Sequence, residues 1–94
     1  MIDTIVRGDK VVTPSGVGAY DIAIAGEKIV AVAASGMLPV SAGTKIVDAT
    51  GKIVIPGGID PHVHCKWFMP HPDGTSTDTA PPDVVSIAAL HGGT

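Results

Sequence analysis

A chain of 94 residues is long enough for one small domain, and its formal charge of −3 is weak. Lysine and arginine are scattered along it, so we expect no basic patch for nucleic acid and no polybasic helix for a membrane surface. No window approaches the roughly 20 apolar residues of a membrane span. Only three residues are aromatic, so the core must come from Val, Ile and Ala, which favours a sheet over a helix bundle.

The cysteine content and the N-terminus indicate a compartment. Cys65 is the only cysteine, which rules out an internal disulfide and suits a reducing environment. The first residues, MIDTIVRGDK, contain no charged leader followed by a long apolar stretch, so no signal peptide is expected. We therefore expect a cytoplasmic protein.

Residues 1–55 are predicted to form short strands separated by tight turns. Apolar and β-branched residues flank three turn-forming pairs, and each pair suits a two-residue hairpin loop. The segment SGMLPVSAGT, residues 35–44, is predicted as a loop because it is rich in Gly, Pro and Ser. The three predicted hairpin turns are Gly8-Asp9, Gly26-Glu27 and Thr50-Gly51.

The character of the sequence changes after Pro56. GGIDPHVH, residues 57–64, is predicted as a short strand, and KWFMPHPDGTSTDTA, residues 66–80, as a polar loop. A strand followed by a helix is typical of a βαβ unit, whose parallel strands need further strands and helices to cover both faces. We therefore expect residues 56–94 to be the opening of a larger architecture.

The last segment, PPDVVSIAALHGG, carries helix signals at both ends. Pro82 suits the first turn and Asp83 the positive end of the helix dipole. His91 suits the last turn, and Gly92 is predicted to form a left-handed cap. A helix over 82–91 is therefore predicted.

His62 and His64 are the candidate metal ligands. In a strand, alternate residues point to the same side, so both imidazoles would reach one metal ion, with Asp60 on the same face. The alternative is an edge strand whose polar face meets solvent. The neighbouring Pro-Gly-Gly break and apolar run favour a site, since a polar face entering a parallel sheet more often lines a pocket.

The stretch GKIVIPGGIDPHVH resembles the P-G-x-I-D-x-H-x-H signature that opens the barrel of the amidohydrolase superfamily. The following FMP, GTSTDT and SIAALHGGT resemble the hydantoinase and dihydropyrimidinase branch, the cyclic amidases. This resemblance implies a (β/α)₈ barrel, and a composite β-sandwich to which residues 1–55 contribute the N-terminal strands. Residues 56–94 would then supply the first strand, loop and helix of that barrel.

The resemblance also implies chemistry. His62 and His64 would bind one ion of a two-metal centre, commonly zinc, and Asp60 would support a neighbouring ligand. The metals would activate a hydroxide that attacks a ring amide carbon of a small cyclic amide. The remaining metal ligands and the catalytic aspartate of such enzymes have no counterparts in these 94 residues. We therefore expect an N-terminal fragment that is inactive by itself, with exposed sheet edges that favour self-association.

Other candidates have weaker support. Cys65 would point away from the histidine pair, His71 is expected on a surface loop, and Trp67 and Phe68 are expected either to line a pocket or to pack under the loop. Within the superfamily, a dihydroorotase or an allantoinase remains open. A different class also remains open: a non-catalytic β-rich module that self-associates or binds a partner.

Overall fold

The computed structural model describes all residues 1–94, which fold into two compact units, 1–56 and 57–94. The chain is β-rich with one short C-terminal helix, as the sequence predicted. No helix has both the length and the apolar character needed to cross a membrane. The first unit contains β1 (Thr4–Thr13), β2 (Gly16–Ala25), β3 (Lys28–Ala34), β4 (Lys45–Asp48) and β5 (Ile53–Val54). The second contains β6 (Phe68–Pro70), β7 (Ser76–Asp78) and α1 (Pro82–His91).

The first unit is one five-stranded sheet in the order β3-β2-β1-β4, with β5 also paired to β1. β2 runs antiparallel to both β1 and β3. The predicted hairpin at Gly26-Glu27 is confirmed, because Ala25 pairs with Lys28 across this two-residue loop. Gly26 has φ +59°, a left-handed conformation that a residue without a side chain adopts at no steric cost. The predicted loop over 35–44 is also confirmed.

The predicted hairpin turn at Gly8-Asp9 is wrong. β1 continues through these residues and only shifts its register against β2 between Gly8 and Val11, as at a β-bulge. A Cβ added at Gly8 would lie 3.1 Å from methyl carbons of both Val11 and Val54. The glycine is therefore needed for close packing inside a strand, and the chain reverses later, between Thr13 and Gly16.

Thr50-Gly51 forms a turn, but the predicted antiparallel hairpin is wrong. β4 and β5 both pair with β1 in parallel, β4 along residues 4–7 and β5 along residues 10–11. The turn lies beside the bulge of β1, where the N–H of Gly51 donates to Asp9 Oδ1 at 3.2 Å. The two short strands therefore continue along one edge of β1.

The core of the first unit is small. Its buried apolar side chains are Ile5, Val11, Ala23 and Ala49. Asp21 is buried among them with no exposed surface, and it is paired with Arg7 at 2.7 Å. The strand register places Arg7 directly opposite Asp21 on β1 and β2, so the ion pair links the two central strands.

In the second unit, the prediction of a strand over residues 57–64 is wrong for this structure. Residues 57–67 lie in no strand and have no ladder partner. The physical reason is that a strand is held by hydrogen bonds to a neighbouring strand, and no strand pairs with residues 57–64.

The predicted loop over residues 66–80 contains a small antiparallel hairpin instead. Pro70 pairs with Ser76 across the connection, and the N–H of His71 donates to the carbonyl of Thr75 at 2.8 Å. Asp73 accepts from the N–H of Thr75 at 3.0 Å and from its hydroxyl at 2.6 Å, which closes the turn. The hydroxyl of Thr75 lowers the pKa of Asp73.

The helix over 82–91 is confirmed, with Pro82 and Asp83 in its first turn and His91 in its last. The cap prediction is wrong in position, because Gly92 is right-handed with φ −86° and Gly93 has φ +87°. The N–H of Gly92 still bonds the last carbonyls, so the left-handed residue comes one position later.

Candidate metal centre

His62 and His64 lie in the irregular segment that precedes β6. The carboxylate Oδ1 of Asp60 accepts a hydrogen bond from the backbone N–H of His62 at 3.1 Å. This local bond closes a turn around Pro61, since a carboxylate can bond a backbone N–H two residues later. Asp60 thus contacts the backbone of a candidate ligand, and its role as support for the site stays a prediction.

The two imidazoles converge even though they are not in a strand. The Nε2 atoms of His62 and His64 are 2.8 Å apart, and the ring centroids are 4.9 Å apart at an interplanar angle of 43°. The direction of any hydrogen bond between them depends on the tautomer that each ring adopts. Both side chains belong to exposed residues, so the pair is open to solvent.

The separation of these nitrogens fits a shared metal ion. Two imidazole nitrogens bound tetrahedrally to one zinc at about 2.0–2.1 Å lie about 3.3 Å apart. The observed 2.8 Å would have to widen by only a small rotation of either exposed ring. The donor set also fits, since neutral imidazole is a common zinc ligand.

His62 and His64 are two candidate ligands and do not form a complete metal site. No cluster of three or more His, Cys, Asp or Glu side chains in the chain is arranged to hold a metal ion. Cys65 is a half-buried free thiol, and the predicted role of His62 and His64 as ligands of one ion stays a prediction. Two nitrogens fall short of the three protein ligands that catalytic zinc usually has.

Two residues next to the pair were not predicted from the sequence to contact it. The indole of Trp67 stacks on the imidazole of His64, with ring centroids 4.6 Å apart and an interplanar angle of 21°. Thr79 reaches the same place from just beyond β7, and its hydroxyl donates to the carbonyl of His64 at 2.7 Å. The sequence predicts Trp67 only as a pocket-lining or packing residue, and nothing in the sequence distinguishes Thr79 from the neighbouring threonines.

The remaining candidate residues make their contacts elsewhere in the second unit. His71 bonds across the β6–β7 hairpin, with its Nε2 3.0 Å from the hydroxyl of Thr77. His91 is exposed in the last turn of α1. Phe68 is 60% exposed, so it is not packed under a loop in this structure.

The chain is similar in sequence to parts of several known proteins. It is 38% identical to a D-hydantoinase from Streptomyces coelicolor over 93 residues, which are 97% of this chain and 19% of that enzyme. It is 45% identical over 62 residues to an allantoinase from Desulfitobacterium hafniense, covering 66% of this chain and 13% of that protein. It is 35% identical over 62 residues to dihydropyrimidinase 2 from Caenorhabditis elegans, covering 66% of this chain and 12% of that protein.

The chain therefore spans a fifth or less of the length of these relatives. No family model matches it, and no solved structure matches it significantly. The D-hydantoinase match nevertheless extends over both compact units and includes the histidine segment. By sequence, the chain belongs to the hydantoinase and dihydropyrimidinase-like family of the amidohydrolase superfamily.

Proposed function

We propose that this chain is the N-terminal part of a metal-dependent hydrolase that cleaves C–N bonds in cyclic amides of the hydantoin or dihydropyrimidine type. The observation that carries the proposal is the 2.8 Å separation of the Nε2 atoms of His62 and His64. It occurs in a chain that matches a D-hydantoinase over 97% of its length. The matched relatives have different names, D-hydantoinase, allantoinase and dihydropyrimidinase, so the proposal concerns the substrate class.

The proposed roles follow from the chemistry of the side chains. His62 and His64 would hold one divalent ion, and zinc suits their imidazole nitrogens. When bound, such an ion supplies a hydroxide nucleophile at neutral pH and polarises a carbonyl oxygen. Both Nε2 atoms must present a lone pair to the ion, so each neutral ring would carry its proton on Nδ1. Asp60 would hold the backbone of His62 in the turn that directs its ring.

The proposed enzyme takes its other ligands from outside these residues. The pair supplies two ligands, and the family resemblance implies a bridging lysine, further histidines and an aspartate elsewhere. We therefore propose that residues 1–94 contribute to the site without catalysing the reaction by themselves. The first unit would contribute strands to a composite β-sandwich, and the second unit the opening of a barrel.

Self-association is proposed as a consequence of the exposed sheet. Val32, Ile22, Val6 and Val47 lie in one row across four neighbouring strands. Two of them, Val32 and Val47, are 51% and 37% exposed. An apolar row that meets solvent favours contact with another protein surface.

The comparisons do not favour the alternative of a non-catalytic module, since the relatives reported above are named D-hydantoinase, allantoinase and dihydropyrimidinase.

Zinc titration tests the proposal directly. We expect zinc chloride, in competition with a chromophoric chelator, to bind the 94-residue chain at one site. His62→Ala and His64→Ala should each weaken that binding at least about tenfold, because each removes one of two ligands. The matched controls are His71→Ala and His91→Ala, which remove exposed histidines outside the pair. Equal weakening by a control variant, or no effect of His62→Ala, would contradict the proposal.

A further inference from the structure

We infer that Trp67 and Thr79 position the imidazole of His64 for metal binding. This inference rests on the proposed role of the histidine pair, and it concerns how one ligand is held. Neither residue has an atom that would bind zinc in this arrangement, so both would act through His64.

The hydroxyl of Thr79 connects the two ends of the turn at residues 64–67. It donates to the carbonyl oxygen of His64 at 2.7 Å and accepts from the backbone N–H of Trp67 at 2.8 Å. The same hydroxyl therefore donates one hydrogen bond to His64 and accepts one from Trp67, the two residues whose rings stack. Thr79 itself is half-buried.

The backbone of this turn is held in an uncommon conformation. Lys66 has φ +55° and is the only non-glycine residue of the chain with positive φ. Such a conformation persists in a lysine only where surrounding bonds hold it. Two backbone hydrogen bonds hold it here. The N–H of Lys66 donates to the carbonyl oxygen of Ala80 at 3.0 Å, and the N–H of Thr79 donates to the carbonyl oxygen of Trp67 at 2.9 Å.

The consequence of the turn is the stacking of Trp67 on His64. The rings are 4.6 Å apart between centroids and only 21° from parallel. A ring covered on its face loses freedom to rotate, while its edge nitrogens stay available to a ligand. The Nε2 edge of His64 is the one that lies 2.8 Å from Nε2 of His62. The stack therefore constrains the ring without blocking the atom that would bind metal.

Trp67 is 54% exposed, so its contact with His64 is not part of the packing of a core. A tryptophan that held the fold together would be largely buried, whereas this one leaves half its surface in solvent and contacts a candidate ligand. Removing its ring should therefore alter His64 far more than it alters the fold. Partners that orient metal-binding histidines commonly change metal affinity by about 10–100-fold when they are removed.

The test uses the 94-residue chain with two readouts. The first is zinc affinity, with zinc chloride as the probe. The second is the NMR shift of the His64 ring protons in the metal-free chain, which a stacked indole moves upfield. We expect Trp67→Leu and Thr79→Val to weaken zinc binding about tenfold and to reduce the upfield shift. Trp67→Phe and Thr79→Ser, which keep an aromatic ring and a hydroxyl, should restore most of both.

Phe68→Leu is the matched control, because it removes an exposed aromatic ring from the next residue. It should leave the zinc affinity and the His64 shift unchanged. Wild-type affinity and wild-type shifts in Trp67→Leu and Thr79→Val would overturn the inference. So would failure of Thr79→Ser to restore what Thr79→Val removes.

The two proposals fail differently. If the unmodified chain binds no zinc, the proposed metal site is contradicted, while the His64 shift in the metal-free variants still tests the positioning. His62→Ala separates them further, since it should lose zinc affinity and keep the upfield shift of His64. Loss of that shift in His62→Ala would mean that His62, and not Trp67, orients the ring, which would also overturn the inference.

Discussion

The guanidinium of Arg7 binds the carboxylate of Asp21 through two parallel hydrogen bonds, 2.9 Å from Nε to Oδ1 and 2.7 Å from Nη2 to Oδ2. Asp21 also accepts from the N–H of Gly36 at 3.0 Å and lies near the hydroxyl of Ser35 at 3.4 Å. A fully buried carboxylate is costly unless it is paired and hydrogen-bonded, and here both oxygens are. Asp21 therefore joins β1, β2 and the turn after β3.

Asp21→Asn should destabilise the first unit. The substitution keeps the shape of the side chain but replaces one acceptor oxygen by an NH₂ group that faces donors. We expect a loss of about 1–3 kcal/mol in the free energy of unfolding, measured by urea denaturation. The matched control is Glu27→Gln in the exposed β2–β3 loop, which should change stability little. Equal stability of the two variants would mean that the ion pair contributes nothing.

The stability of the wild-type chain should fall at acid pH. The hydrogen bond from Arg7 lowers the pKa of Asp21 below its ordinary value of 3.8, although burial opposes this. A carboxyl with a lowered folded-state pKa stabilises the fold above the unfolded pKa, and this contribution is lost as pH falls through the folded pKa. Urea midpoints should therefore be level above about pH 5 and decrease below 3.8.

Asp48 and Asp73 also have lowered pKa values, so they contribute to the acid sensitivity in the same direction. Comparing the wild type with Asp21→Asn therefore isolates the contribution of Asp21. The stability difference between wild type and Asp21→Asn should shrink as the pH decreases from 4 toward 2. A difference that stays constant over this range would assign the acid sensitivity to other carboxylates.

Gly8→Ala should destabilise the sheet at the bulge. The added methyl would lie 3.1 Å from carbons of Val11 and Val54, closer than ordinary van der Waals contact. Overpacking of this kind costs about 1–3 kcal/mol, to be measured by urea denaturation. Gly43→Ala is the control, since no atom lies within 4 Å of a Cβ at that position. If Gly8→Ala is as stable as the control, the strand has room to shift.

Self-association should depend on the apolar row Val32, Ile22, Val6 and Val47. We expect the weight-average mass in sedimentation experiments to rise with concentration, and Val32→Glu with Val47→Glu to suppress that rise. The control is Val84→Glu on α1, where the valine is 50% exposed, similar to Val32. Dissociation by Val84→Glu instead would assign the interface to the helix.

The 94-residue chain should not hydrolyse hydantoin or dihydrouracil, even with added zinc, because two ligands leave a catalytic ion short of protein donors. Spectrophotometric assay of both rings with the purified chain checks this, and metal-dependent turnover would contradict it. A chimaera provides the positive counterpart: this chain replaces the 93-residue matching segment of the Streptomyces coelicolor D-hydantoinase. A folded, zinc-loaded chimaera should hydrolyse hydantoin, and His62→Ala within it should abolish turnover, while His91→Ala should not.

Part of the fold was predictable because its causes are local. The helix over 82–91 follows from Pro82 and Asp83 at its start, and the β2–β3 hairpin follows from Gly26. The convergence of His62 and His64 was also predicted, but from a strand that does not form. Here the two imidazoles converge beside a turn closed by Asp60, so the predicted convergence is confirmed although the predicted strand is wrong.

The sequence by itself determined the β-rich character, the helix, the histidine pair and the family, since these depend on neighbouring residues or on a contiguous signature. Only the tertiary structure decided that β4 and β5 follow one edge of β1, and that the hydroxyl of Thr79 joins the residues carrying the stacked rings of His64 and Trp67. Strand pairing and side-chain contact join residues far apart in the chain, and many partners are equally compatible with local propensity. Packing selects among them, and packing is a property of the folded chain.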